Sequence, residues 1–448
     1  MSFLLADSNR YWVLKAAIVP ILAHGALLGL YELDRNIAWT LLLVGVGFLG
    51  VAIGERCLRR SRRRRILFIL VVGAILRILM LPLSPSLSDD VYRYIWDGKV
   101  LAAGFNPYLS APEDPVLEPL RDELWERLPH KDVATVYPPF SEGLFGSVAS
   151  LPASVWVWKL LLTSIDLLSC VILIVLLRRR RVSVDRAVWY VWNPLVTIEI
   201  AGMGHVDGLG VAAVLMTVVL LQLPRRRILA GATAAATSVL IKIVPILAFP
   251  IFARQSKRPI VFLVIASLLV AIGVIPVMWT IGGIPAGLVE YGVSWEFNGP
   301  LYEPLWRGLD RLEFSDLVSN ALDSRKEASG EHEFWNRFYP FNYPQLWAKL
   351  FLMVGLCVAV AFAWREQDTV SALRKVFGCV VIFSATVYPW YLLWVLPWAT
   401  ITRDKAWLML SGLVMLCYVP QFSTVPLFPW IHALIWVPFA GALMLCRR

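Results

Sequence analysis

Apolar runs of about 17–25 residues recur along the whole of this 448-residue chain, each long enough to cross the hydrocarbon core of a bilayer. They fall at 12–31, 37–54, 66–82, 154–177, 259–280, 346–364 and 429–446. Two more, 186–202 and 207–223, form a hairpin around the turn GMGHVDG. The run 228–253 is bounded by basic clusters on both sides yet is too short for two full spans. It predicts a re-entrant or broken pair that turns near Lys242 and Pro245. Segment 376–401 raises the same problem, with Tyr388-Pro389-Trp390-Tyr391 at its turn. Irregular backbone at membrane depth is tolerated only where it packs inside protein or faces a cavity, so both turns are expected to look into one outward-facing cavity. Segment 137–151, too short to span, reads as an interfacial or half-inserted helix. The pattern predicts an all-α integral membrane protein, a polytopic helical bundle of about 11–14 transmembrane segments.

Charge fixes the expected orientation. The net charge is +10, and 22 of the 42 Lys and Arg residues lie in six short clusters at 56–65, 178–181, 225–227, 254–258, 365–375 and 447–448. Short basic loops between apolar spans mark the cytoplasmic face, which places both termini inside. Two long polar segments, 84–135 and 281–345, each carry ten acidic and five basic residues and belong outside, where they would cap the cavity. The positive charge is thus a record of topology rather than a nucleic-acid surface. Composition agrees: 58% of residues are hydrophobic. The 20 Trp residues favour span ends, as in an interfacial aromatic belt. None of the six Cys lies in either outer loop and no CxxC occurs, so neither a disulfide framework nor a redox motif is indicated. The first apolar run lacks a small-residue cleavage site and is expected to remain as an anchor. No soluble domain of ordinary size stands out, and residues 1–448 are expected to form one membrane-embedded domain.

The stretch richest in chemistry is SDDVYRYIWDGKVLAAGFNPY, residues 88–108. Asp89 and Asp90 follow an apolar run, and Tyr92, Arg93, Trp96, Lys99 and Asn106 come next. Carboxylates that bind hydroxyls, flanked by aromatic faces that stack on rings, suggest a sugar site with an aspartate as general base. An adjacent acid pair can also bind Mg²⁺ or Mn²⁺, but two carboxylates are too few ligands for a dedicated metal site. Glu199, His205 and Asp207 gather at one outer hairpin turn. Glu199 reads as a packing device or cavity group, while His205 and Asp207 are expected near the aqueous surface, oriented toward a phosphate or a hydroxyl. Lys242, alone in an apolar run, is a counter-ion for an anionic headgroup or a snorkelling side chain. Tyr137 before a Pro-Pro pair, and Tyr388, Trp390 and Tyr391, join the candidates by their outer placement. Lys159 and Asp166 read as helix-packing or interfacial residues. GVGFLG at 45–50 has the letters of a dinucleotide fingerprint, but it lies in an apolar span with no preceding strand. Close helix packing explains it.

The compartment narrows the reaction. All candidate groups lie outside, nucleotide-activated sugars are cytosolic, and no phosphate-cradling GxxxxGK loop is present. A transferase on that face needs a donor already across the bilayer, such as a lipid-linked phospho-sugar. Arg93, Lys99, His205 and Lys242 are candidate phosphate partners. Direct displacement, with Asp89 or Asp90 as base, would invert the anomeric centre. The 88–108 stretch closely resembles the first outer loop of bacterial GT-C-type mannosyltransferases and related hexosyltransferases that use polyprenyl-phosphate sugars. LPHKDVATVYPP at 128–139, WNPLVTIEIAGMGHVDG at 192–208, KIVPILAFP at 242–250 and VYPWYLLWVLP at 387–397 match in order. The resemblance implies a GT-C-like fold in the bacterial plasma membrane, a catalytic Asp at 89 or 90, and a polyprenyl-phosphate-hexose donor, most often mannose. The acceptor would be a lipid or a glycan. Two positions depart from it: Val206 stands where relatives have Asn in a GHND-like turn, and Tyr388 stands where they have His before PWY. The alternative reading, a flippase or transporter of a lipid-linked sugar, would show internal repeats and mid-membrane ionisable groups on several helices. No repeat is detectable here.

Overall fold

The computed structural model describes residues 2–60, 65–223 and 227–445, with side chains from Lys15 onward except those of Arg60 and Pro340. Among them no strand forms, and the only bridges are isolated ones joining Phe297 and Asn298 to Thr386. Among the described residues, five helices are long and apolar enough to cross a membrane unaided: Ile37–Arg59, Ser154–Arg179, Pro259–Ile281, Pro344–Trp364 and Leu427–Leu445. A sixth span is the pair Pro194–Gly202 and Asp207–Leu221, bent by 116°. Lys15–Leu30, Ile228–Ile241, Val244–Gln255 and Lys405–Tyr418 are shorter apolar helices. The protein is a polytopic helical membrane protein. Unbroken spans are fewer than the expected total of about 11–14 because several apolar runs are cut by prolines and polar turns. Helix Pro259–Ile281 shows why lipid is the solvent: Ile260, Val264, Leu268, Ile272 and Trp279 project outward, exposed, on its flank. A contiguous apolar face of that length is not left facing water.

Inside the bundle, helices pack tightly and bury few charges. The GVGFLG segment is a packing surface: a Cβ at Gly50 would lie 2.8 Å from the Pro20 ring. Lys159, as expected of a packing residue, donates to the carbonyls of Leu81 (2.8 Å) and Leu83 (2.7 Å). Arg77 pairs with Asp166 at 2.6 Å, and Tyr190 donates to the other Asp166 oxygen at 2.8 Å.

Three breaks interrupt the helices toward one end. Asn193 caps the helix opened by Pro194, its Oδ1 accepting from Leu195 N at 3.0 Å. The last turn of that segment, Ile198–Gly202, widens to a π-turn, and the chain then reverses through Gly204. Its φ of +83° is costly for any residue with a Cβ. The second break is at Lys242, which leaves helix Ile228–Ile241 in an extended conformation (φ −153°, ψ 134°). Pro245, in the next short turn, has no N–H with which to resume the ladder. The third runs from Ser384 to Tyr388, both extended, and Tyr388 is restricted to that region by Pro389. Both broken pairs expected from run length are therefore present.

The polar segments fold as short helices. The first holds helix Asp90–Ala102 and leads to helix Pro139–Ala149. The second holds Ala286–Ser294, Tyr302–Arg311, Phe314–Ser329 and His332–Asn336. Its Phe297 and Asn298 bridge to Thr386, which ties this segment to the third break.

Candidate active site at the convergence of three helix breaks

Asp90 begins helix Asp90–Ala102, and Asp89 precedes it without making a capping bond. Tyr94, one turn on, directs its hydroxyl at Asp90 Oδ2 (3.4 Å). The same oxygen lies 3.7 Å from His205 Nδ1, a contact beyond ordinary hydrogen-bond length. The far side of the imidazole is 3.2 Å from Glu199 Oε2, and Glu199 Oε1 accepts from Tyr418 at 3.0 Å. His205 is held flat: its ring stacks on Trp390 (3.8 Å, 16°), Trp390 on Tyr388 (4.5 Å, 3°) and Tyr388 on Phe297 (4.6 Å, 20°). A column of four rings thus runs from the second outer segment to the first break.

Asp207, in the first turn after the bend, binds Lys242 Nζ through both oxygens (2.8 and 2.9 Å). It also accepts from Trp394 Nε1 at 2.6 Å. The Lys242 ammonium lies 4.9 Å from the Tyr391 ring centre, and Tyr391 hydrogen-bonds Tyr291. An ammonium has three N–H donors and Asp207 occupies two, so one remains free for a ligand. His205 and Asp207, expected near the aqueous surface, are both fully buried. The ring column lies over His205, while Trp394 and Lys242 close around Asp207.

Asp90 remains 30% exposed. Burial pushes its carboxyl up to about 6; Lys242 opposes the rise, while Asp207 and Asp89 add to it. Asp89 is more open. Its carboxyl is also raised, first by partial burial, with Arg127 opposing and Asp34 adding to the shift. One aspartate therefore faces the buried charges and the other faces the loop. Among the described residues no three His, Cys, Asp or Glu side chains gather as a metal site.

Of the residues singled out from sequence, the breaks bring Asp90, His205, Asp207, Lys242, Tyr388, Trp390 and Tyr391 together. Tyr137 joins through Tyr94, ring edge to ring face at 5.1 Å. Tyr92 lies on the Asp89 side, accepting from Arg127 at 2.6 Å. Four others are built into the loop itself. Arg93 binds Asp97 (2.8 Å) and the carbonyls of His130 and Val133. Trp96 is wholly buried, and Lys99 bridges Asp122 (2.8 Å) and the Leu120 carbonyl. Asn106 Oδ1 closes a turn onto Tyr108 N at 3.0 Å. Arg93, Lys99 and Asn106 thus spend these bonds on the loop rather than on the cluster around Asp90. The sequence reading did not single out Arg127, Tyr291, Phe297, Trp394 or Tyr418, and it left Tyr94 and Glu199 outside the site. Only Tyr94 had a local signal, four residues after Asp90 on one helical face.

A multi-pass helical bundle with an acid cluster and stacked rings where its helices break has the form of a membrane-embedded transferase. The alpha-(1->6)-mannopyranosyltransferase N-terminal domain family matches residues 12–258, more than half of the chain. The protein belongs to that family and is a glycosyltransferase. Asp89, Asp90, Glu199, His205, Asp207 and Lys242 all lie inside the matched region. Tyr388, Trp390, Trp394 and Tyr418 lie beyond it and complete the cluster. Comparison with curated proteins gives no match, and comparison with solved structures gives none.

Proposed function

We propose that this glycosyltransferase moves a mannosyl unit from a polyprenyl-phosphate donor to a lipid or glycan acceptor at the extracytoplasmic face of the plasma membrane, with Asp90 as general base. The whole chain acts as one membrane-embedded domain. The observation that carries the reading is the position of Asp90: a half-open carboxylate at the meeting point of three helix breaks, with the Lys242 ammonium on its buried side.

The chemistry follows from the groups present. The acceptor hydroxyl approaches Asp90, which takes its proton as the oxygen attacks the anomeric carbon. The carbon–phosphate oxygen bond breaks on the opposite face, and the bonding pair leaves on the lipid phosphate. The free N–H of Lys242 is the nearest fixed donor for that growing charge, and Arg127 is a second, on the outer side. His205, wedged between Asp90 and Glu199, keeps the carboxylate from turning inward. Tyr388, Trp390 and Tyr391 offer faces for the sugar ring. A single displacement inverts the carbon. An alpha product, as the family description implies, therefore requires a beta-linked donor.

The test uses the purified full chain in proteoliposomes with a polyprenol-type glycan acceptor and labelled mannose. Beta-linked polyprenyl-phosphate mannose should label the acceptor, and the alpha anomer and nucleotide-linked mannose should not. Transfer from the nucleotide donor alone would overturn the donor assignment. Transport of the lipid-linked sugar across the vesicle without transfer would favour the flippase reading.

A further inference from the structure

The end of the bundle opposite Asp90 carries a feature that sugar transfer does not use. Leu33 N donates to Ser86 Oγ at 2.9 Å, so helix Ile37–Arg60 starts beside the first outer segment. At 1.5 Å per residue, Arg56 lies about 30 Å further along that helix. There, between this helix and the Lys405–Tyr418 stretch, is an open cavity of about 670 Å³. Its walls are apolar: Leu41, Val44, Phe48, Met409, Leu413 and Leu416. Its rim carries Arg56, Arg59, Arg403 and Lys405, against a single carboxylate, Glu55.

The rim charges are not equivalent. Glu55 is fully committed, accepting from Arg59 (2.5 Å), Trp189 (3.0 Å) and Arg403 (3.3 Å). Arg59 also faces Asp185 at 3.3 Å. Glu55 thus holds Arg59, Arg403 and Trp189 in place. Arg56 and Lys405 are exposed and make no ion pair or hydrogen bond with the described residues. An open apolar slot under two cations free of partners among the described residues, at the end bearing the basic clusters, matches one ligand chemistry: an aliphatic chain beneath an anionic headgroup.

We propose that this groove holds one anionic phospholipid, its acyl chain along Val44 and Leu413 and its phosphate between Arg56 and Lys405. The site is about a membrane thickness from Asp90 and independent of the donor. Gly45 lines the slot, and a Cβ there meets no atom within 4 Å. A large side chain at that position would therefore occupy the lipid's space without disturbing the helix.

The test is native mass spectrometry of the full chain in mild detergent, with phosphatidylglycerol or phosphatidylcholine of identical acyl chains. The expected result is one retained phosphatidylglycerol per chain in preference to phosphatidylcholine. Binding should weaken about thirtyfold in Arg56→Gln/Lys405→Gln and be lost in Gly45→Phe. Equal retention of the two lipids, or an unchanged double variant, would overturn the proposal. Displacement by inorganic phosphate alone, or a dimer that closes the groove against a second copy with no lipid bound, would also overturn it. None of these readouts depends on sugar transfer.

Discussion

Two groups of buried charge in this molecule differ in a way that separates fold from chemistry. In the bundle interior, Arg77 and Asp166 are 1% and 0% exposed and paired with each other at 2.6 Å. Asp166 takes Arg77 Nε at 2.7 Å and Tyr190 at 2.8 Å, and Arg77 Nη1 donates to the carbonyls of Gly73 and Val191. At the helix breaks the accounting stays open. Asp90 keeps 30% of its surface, Lys242 keeps 22% and a free N–H, and His205 approaches Asp90 only to 3.7 Å. A closed pair holds helices in register. An open set has donors and acceptors left for a substrate.

The comparison breaks most visibly if the closed pair is opened. Arg77→Met leaves Asp166 buried and unpaired, with an expected loss of about 3–5 kcal/mol in stability, read as a lowered thermal unfolding midpoint in detergent. Arg77→Met/Asp166→Leu should recover most of that loss, because removing both charges also removes the desolvation cost. At the open set the expected pattern is the reverse. His205→Ala should leave the unfolding midpoint nearly unchanged while lowering kcat about 10²-fold, since it frees Asp90 from its productive position, with little change in KM.

A smaller effect should appear in the pH dependence. The Asp90 carboxyl, pushed up to about 6, is the proposed base and can accept a proton only when deprotonated. Transfer should therefore be nearly full at pH 7 and fall about tenfold by pH 5. A rate that stayed flat through that window would place the base elsewhere. The smallest effect is expected for Lys99→Gln. Its partner Asp122 is half exposed, and such pairs contribute less than about 1 kcal/mol. Transfer by this variant should match wild type, whereas a large loss would return Lys99 to the substrate site.

These contrasts also show what a sequence can reveal. The broken helices at Lys242 and Tyr388 were legible by charge and length together, because 228–253 lies between basic clusters on both sides yet is too short for two spans, and 376–401 raises the same problem. Asp90 was singled out because paired carboxylates stood beside aromatic and basic residues at a membrane boundary, and it lies 3.7 Å from His205. The roles of Arg93, Lys99 and Asn106 were not legible: a cation or amide in a polar loop reads alike whether it meets a substrate or a backbone carbonyl. Glu199 and Tyr418 meet across 219 positions, and Phe297 joins the ring column through a bridge to Thr386. No local pattern encodes such contacts. The burial of His205 was misread because a turn between spans is ordinarily wet, whereas here two other breaks fold over it.

The most direct measurement compares Asp90→Asn and Asp89→Asn in membranes supplied with labelled beta-linked polyprenyl-phosphate mannose, with folding of each checked by its unfolding midpoint. Asp90 faces His205 and the buried charges, while Asp89 faces Arg127 and the loop. Asp90→Asn should lose about 10²–10⁴-fold in transfer with its fold intact, and Asp89→Asn should retain most of the rate. Full activity in Asp90→Asn, or loss confined to Asp89→Asn, would contradict the assignment of the open carboxylate as the base.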